Sequence, residues 1–450
     1  MRNYFYTLCF FLLTVTGYAQ VSSVSPYSSQ GIGDVSFYGD AYFTAFGGAS
    51  VALIDSSQVN LFNPSSYAYV AQGLPLFSLG LAHQEAEFNQ DDVTARDRFT
   101  SITHMSLVVP FANRFGLAFG LKPYSRTGYE INNAEFVEGD SLFYDYTGKG
   151  EIQEFLIGFS IKLVNSFNHR LAIGANGKRF FGRLENERMA YRRVNQQMSG
   201  AYDQKFLQAG SYGYEFGGSY RYTPSTRHVL TLGGYYRNQQ DMNISSAQTR
   251  VHFGQFSNIN TYDTIIPFST VNGTLAMPER WTAGFSYEFK PARDSIRRSG
   301  RLSSILFTAE YSSESWSDFR ENSGGVEVNP GFLDAFTVRS GLQFLPHRSI
   351  MDRSTYIKSF QKWSYRIGAY YSELPYEIGG SQIEDMGISV GVGIPFVLSR
   401  AVSSVNFSVN YGQRGAMDNP AILRENYIGF NFGLNIAPSY DRWFTKYELD

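Results

Sequence analysis

The chain has 450 residues, a formal net charge of −2, 17% charged residues and a single cysteine, Cys9. That balance gives no electrostatic footprint for nucleic acid, and one cysteine leaves no disulfide or multi-cysteine metal site. Aromatic residues reach 16% and glycine 43 positions, yet after the first twenty residues no apolar run approaches the roughly 18 residues a spanning helix needs.

The chain opens with Arg2, an apolar stretch from Tyr4 to Val15, and Gly17-Tyr18-Ala19 before Gln20. A short apolar core closed by small residues reads as a secretory leader over 1–19, with Cys9 inside it. Residues 20–72 are rich in Ser, Gly and Tyr. Within them, small residues (Gly47, Gly48, Ala49, Ser50), a turn at Asp55-Ser56-Ser57 and the run Asn63-Pro64-Ser65 predict a compact, bent plug. The glycines permit close backbone approach, and Pro64 pushes Asn63 toward extended geometry.

From Gly73 the pattern changes to period two. Met386, Ile388, Val390, Val392, Ile394 and Phe396 alternate with Gly387, Ser389, Gly391 and Gly393, and Ile428, Phe430, Phe432, Leu434 and Ile436 with Gly429, Asn431, Gly433 and Asn435. Strands are predicted at 73–89, 99–111, 114–131, 150–164, 168–190, 206–222, 227–250, 280–290, 301–317, 333–346, 361–375, 384–398, 402–414 and 425–438. Short connections such as Ala112-Asn113 and Ser399-Arg400 take turns with long ones at 132–149, 191–205, 251–279, 318–332, 376–383 and 415–424. A soluble sandwich would carry many Lys and Glu on its polar face. Here that face is largely Gly, Ser and Asn, so the expected fold is all-β, a transmembrane antiparallel barrel of about fourteen strands with the plug as a hatch in its lumen. The domains expected are a leader (1–19), hatch (20–72), barrel (73–438) and a periplasmic tail (439–450).

The hatch sequence resembles the start of the FadL/OmpP1 family of outer-membrane transporters and its PorV-like, Bacteroidetes-type relatives in type IX secretion. Ala45, Gly47, Gly48, Ala49, Ala52, Asp55, Asn63 and Pro64 match that family's hatch pattern, with Ser65 where Ala is more usual. Leu275 to Pro278 before Trp281, Trp316-Ser317-Asp318-Phe319 after Glu310-Tyr311, and Arg366 to Ser372 with Pro375 are similar to its later strands. The tail after Ile436 departs from it. The resemblance implies passive passage of hydrophobic compounds, of the long-chain fatty-acid type, across the outer membrane of a Gram-negative bacterium. The PorV-like branch, with Asn63 to Tyr67 as pointer, implies instead a partner or cargo escort of secretion-system proteins.

Phe46, Gly47, Gly48, Asp55, Leu61, Phe62, Asn63, Pro64 and Tyr67 are the candidate gate or ligand residues. Phe46, Leu61, Phe62 and Tyr67 fit the plug's own core better than an apolar path. Register assigns Lys122, Glu154, Lys162, Lys178, Glu288, Glu310, Arg339 and Arg366 to the lumen, where pairing with the hatch is favoured over solute contact. Tyr287, Phe289, Trp316, Trp363 and Trp443 suit interfacial girdles. Arg293, Arg297, Arg298 and Arg301 fall at a predicted solvated turn. Gly387 to Gly391 spells G-x-S-x-G, but Ser389 sits mid-strand and not on a nucleophile elbow, so no enzyme is expected. The six histidines show no metal spacing, and neither metal nor cofactor is expected. The expected partners are outer-membrane lipid and a hydrophobic small molecule or fatty acid.

Overall fold

The alternating segments pair edge to edge until the sheet meets itself. The computed structural model describes residues 24–35, 39–71, 74–91, 93–137, 140–194, 197–254, 262–291, 303–349, 358–398, 401–416, 419 and 422–437. Its strands are β1 (Leu76–Gln90), β2 (Val93–Phe111), β3 (Phe115–Val137), β4 (Asp140–Asn165), β5 (His169–Val194), β6 (Gln197–Ser225), β7 (His228–Arg237), β8 (Gln240–Phe253) and β9 (Tyr262–Met277). There follow β10 (Arg280–Phe289), β11 (Ser304–Glu314), β12 (Glu321–Ser323), β13 (Val326–Val328), β14 (Ala335–Leu345), β15 (Ser364–Ile378), β16 (Ser381–Leu398), β17 (Ala401–Gly415) and β18 (Arg424–Ile436). β7 with β8, and β9 with β10, each fill one wall position, and β12 and β13 form a small hairpin beyond β11. The wall is therefore a fourteen-stranded antiparallel barrel. β1 closes it, pairing with β18 from Phe77↔Ile436 to Asn89↔Arg424 and with β2 on its other edge.

Side-chain alternation decides which face meets which solvent. Phe159, Ile367 and Ile388 are 45%, 54% and 61% exposed, whereas Ser160, Thr282 and Ser389 point inward and are at most 5% exposed. Apolar side chains stand outward on strand after strand, far more than a soluble surface carries. A wall that pairs its own backbone groups can meet lipid on that face, because hydrocarbon supplies no hydrogen-bond partners.

Several expected loops are strand. Residues 132–149, 191–205 and 251–279 largely continue β3 to β9 past the apolar belt. Their pattern escapes an apolar-alternation test because polar residues interrupt both faces there, although Phe136, Ile265 and Phe268 stand outward. Cross-strand ion pairs hold them: Lys149 Nζ to Glu187 at 3.2 Å, Arg250 Nη2 to Asp203 at 2.6 Å. Trp316 is not an interfacial girdle residue. It lies on a 3-10 turn (Trp316–Asp318) that folds inward, 4% exposed, and with Phe319 and Phe332 it closes the wide mouth of the barrel over Tyr27 and Tyr376. The leader, Arg293, Arg297, Arg298 and Arg301, Trp443 and the tail at 439–450 lie outside the described residues.

Ile367→Arg, on the outward face of β15, is expected to cost about 2–4 kcal/mol in denaturant titrations of the protein refolded into phosphatidylcholine vesicles. A change below roughly 0.5 kcal/mol, the range of ordinary surface substitutions, would place that face in water.

Candidate functional site

Residues 24–35 and 39–71 fill the lumen. After Asp40, whose Oδ1 accepts the Tyr42 N–H at 3.1 Å, one helical turn (Ala41–Thr44) ends at Gly47 and Gly48, both at positive φ (69° and 85°), where a side chain would be strained. Asp55 Oδ1 accepts the Ser57 N–H (2.9 Å) and hydroxyl (2.8 Å), which makes the expected turn. Asn63 Oδ1 accepts the Ser65 N–H and caps a 3-10 turn (Pro64–Tyr69) that has Pro64 at its start. The Asn63 amide donates to Val51 O at 2.6 Å and Gly218 O at 3.2 Å, tying two hatch segments to β6.

Of the predicted gate residues, Phe46, Leu61 and Tyr67 are buried. Phe46 packs with Tyr42, Phe43 and Leu53, and Leu61 and Tyr67 pack with Val108 and Leu156 of the wall. Tyr67 donates its hydroxyl to Asn176 Oδ1 at 3.0 Å, and burial pushes its pKa up, so it remains a donor. Leu61, Phe62, Gly47 and Gly48 line a chamber of about 250 Å³ between the hatch and the aromatic mouth. Asp55, Asn63, Pro64 and Tyr67 lie away from its lining.

The lumen charges hold the hatch in register. Glu310 Oε2 accepts the Ser50 and Val51 N–H groups, each at 2.7 Å, while its Oε1 meets Arg339 Nη1 at 3.1 Å. Arg366 donates to Gln343, Ser364 and Asn406, and its guanidinium carbon stands 4.3 Å above the Tyr42 ring. Glu154 binds Lys122 and Lys178, each at 3.0 Å, and Lys122 Nζ sits 4.6 Å from the Phe62 ring centroid. Lys162 stands over Tyr69 of the hatch. Glu288 pairs with Lys290 at 3.0 Å. Ser389, central in the G-x-S-x-G string, accepts the Gly47 N–H at 3.0 Å from mid-strand in β16.

The residue pattern alone did not locate a gap in the wall, although the family resemblance implies one. β2 pairs with β3 only from Phe111↔Phe115 to Met105↔Leu121, while β3 continues to pair with β4 through an irregularity at Pro123/Ser125. Above the last β2 pair, residues 123–129 of β3 are buried on both faces, so the strand bends into the lumen. The hatch takes the vacated edge: Asp34 and Arg126 exchange backbone hydrogen bonds (2.7 and 3.0 Å), and the Ser28 hydroxyl bonds both the N–H and the C=O of Gly128. Arg126, 1% exposed, reaches across to Ser101 Oγ (2.8 Å) and Ile102 O (2.9 Å) on β2. The sequence signal was Pro123 inside a strand pattern, since proline cannot donate to a ladder.

Glu310→Ala deletes the acceptor of two hatch N–H groups and the carboxylate facing Arg339. It is expected to lower stability by about 3 kcal/mol or more and to open the hatch to protease before the wall, read by denaturant midpoint and by cleavage mapping.

The comparisons with known proteins agree with this geometry. The Pseudomonas putida toluene transporter TodX superimposes with a TM-score of 0.54 at 15% identity, covering 89% of this chain and 98% of that one. A Pseudomonas aeruginosa FadL homologue gives 0.53 at 13% identity, covering 88% and 97%. The Ralstonia pickettii toluene transporter TbuX gives 0.51 at 11%, covering 88% and 98%. No curated protein matches the sequence. At these identities the likeness is one of fold, and it carries the FadL-type barrel with its hatch. The family model described as BamG matches residues 1–450, so the chain belongs to the BamG family.

Proposed function

We propose that this barrel sits in the outer membrane and lets compact hydrophobic compounds pass without an energy source, leaving sideways through the gap between β2 and β3. The observation that carries the reading is the interrupted β2–β3 ladder. Phe99 of β2 and Pro123 and Tyr124 of β3 line the chamber, so it abuts the gap. Lateral exit suits an apolar solute, which gains by moving from a confined chamber into acyl chains and loses by entering water. The fold likeness to toluene transporters and a monoaromatic hydrocarbon channel supports the same reading. Long-chain fatty acid is the cargo class that the family resemblance implies. The chamber, about 250 Å³ against roughly 300 Å³ or more for drug-sized ligands, suits a ring-sized solute better.

In this reading the leading hatch segment is the stopper of the gap, held by Asp34 and Ser28 on β3, and Gly47, Gly48 and Phe62 form the floor that a solute meets. Asn63 and Pro64 act as the latch that keeps the rest of the hatch on β6 while the leading segment moves.

A second reading, a PorV-like partner or escort of secretion-system proteins, has its own observation. β4, β5 and β6 run 26, 26 and 29 residues, against the roughly 9–11 needed to cross a bilayer, and so raise a polar wall well beyond the lipid. Co-purification of a stable protein partner from detergent extract, with no solute passage, would favour it.

The mature chain lacks other cysteines if the leader is removed, so Ser28→Cys with Gly128→Cys gives a lockable stopper. Oxidation is expected to reduce toluene entry into proteoliposomes at least severalfold, and reduction to restore it. Equal entry in both states would contradict exit through this gap.

A further inference from the structure

Charge around the chamber is paired almost throughout. Lys122 and Lys178 share Glu154, and Lys178 also meets Glu215. Arg339 faces Glu310, Arg414 faces Asp34 and Asp385, and Arg280 Nη1 reaches Glu314 at 3.4 Å. Arg237 differs. It is 4% exposed, its Nη2 donates to Pro278 O at 3.2 Å, and its Nε has no acceptor. Among the described residues no carboxylate oxygen lies within 4.0 Å of it.

Its cross-strand partner makes the imbalance worse. Arg237 on β7 stands directly opposite Arg280 on β10, and Arg280 in turn opposite Glu314 on β11. In direct contact the two guanidiniums have one carboxylate, that of Glu314, which also accepts the Trp316 indole N–H at 3.0 Å; Glu215 acts on Arg237, and Glu310 on Arg280, only from beyond ion-pair distance. Like charges directly opposite repel. An arginine cannot relieve the repulsion by losing its proton, and Arg237, although Glu314 and Glu215 act on it from a distance, has no carboxylate against its guanidinium fork. The surroundings are aromatic: the Arg280 guanidinium lies 5.7 Å from the Tyr235 ring centroid and that of Arg237 6.0 Å from Tyr124, with Trp316 on the same chamber wall.

We propose that Arg237 and Arg280 form a seat for the carboxylate of a small aromatic acid, whose ring lies against Tyr124 and Trp316. The inference rests on the transport reading of the same chamber and narrows its solute from any apolar compound to a ring bearing one anionic head. Planar guanidinium forks match a carboxylate. A chamber of about 250 Å³ holds a single ring of benzoate size.

The test is equilibrium binding to the full mature chain in detergent, by calorimetry, with sodium benzoate, benzyl alcohol and inorganic phosphate as probes. Benzoate is expected to bind at least about tenfold tighter than its neutral counterpart. Arg237→Gln is expected to weaken benzoate by roughly ten- to hundredfold and leave benzyl alcohol unchanged, and Arg237→Lys to restore part of the loss, which separates a lost charge from a lost fold. Equal affinity for benzoate and benzyl alcohol would overturn the seat, as would phosphate binding as tightly as benzoate or an Arg237→Gln protein with undiminished benzoate affinity. Passage is not part of the measurement. A protein that binds benzoate in this way yet passes no toluene would sink the transport reading and leave the seat standing.

Discussion

The hatch backbone lies directly against the inner wall, and that contact is possible only where the wall has no side chain. A Cβ added at Gly116 would overlap the backbone of Tyr67; at Gly174, that of Pro64; at Gly233, that of Val51; at Gly368, that of Phe46 and Gly47. These glycines come from β3, β5, β7 and β15, so the seat surrounds the hatch. The same period-two pattern that sends Phe, Ile and Val into lipid therefore leaves an inward face flat enough to hold a folded segment. Once the backbones are in contact, single polar groups can finish the fit, as Glu310 does for Ser50 and Val51 and Ser389 does for Gly47.

One stretch of wall breaks this arrangement, and the hatch compensates there in a different way. Past Leu121 the third strand leaves its neighbour, and its backbone groups at Arg126 and Gly128 find partners on Asp34 and Ser28. Arg414 secures the same leading segment from the far side through Asp34 at 3.0 Å. The deep part of the hatch is thus bound to unbroken wall, whereas its leading part substitutes for missing wall. Movement of the second would expose the gap without unseating the first, which is the mechanical basis of the transport reading.

Much of this was legible from the residues. Strict alternation in segments such as 386–396 identified both faces, and register alone sent Glu154, Glu310, Arg339 and Arg366 inward, where all four are buried. What escaped was of three kinds. Strand extensions at 132–149 and 191–205 carry polar residues on both faces, so they show no apolar period. Trp316 sits at a strand end like a girdle aromatic, and only the following inward turn sends it into the mouth. Arg237 fell within a correctly expected strand, but its lack of a carboxylate in direct contact depends on where distant strands put Glu215 and Glu314, which spacing along one chain cannot report.

The hatch is a seated part of the wall and not a loose chain in a wet lumen. Hydrogen exchange at the Gly47, Ser50 and Val51 amides of the mature protein in detergent measures that seating directly, since slow exchange there requires buried, bonded N–H groups. Exchange there is expected to be as slow as that of mid-strand amides in β15 and β16. Exchange at the rate of an unstructured peptide would mean that the glycine-lined face encloses water and the hatch is not held.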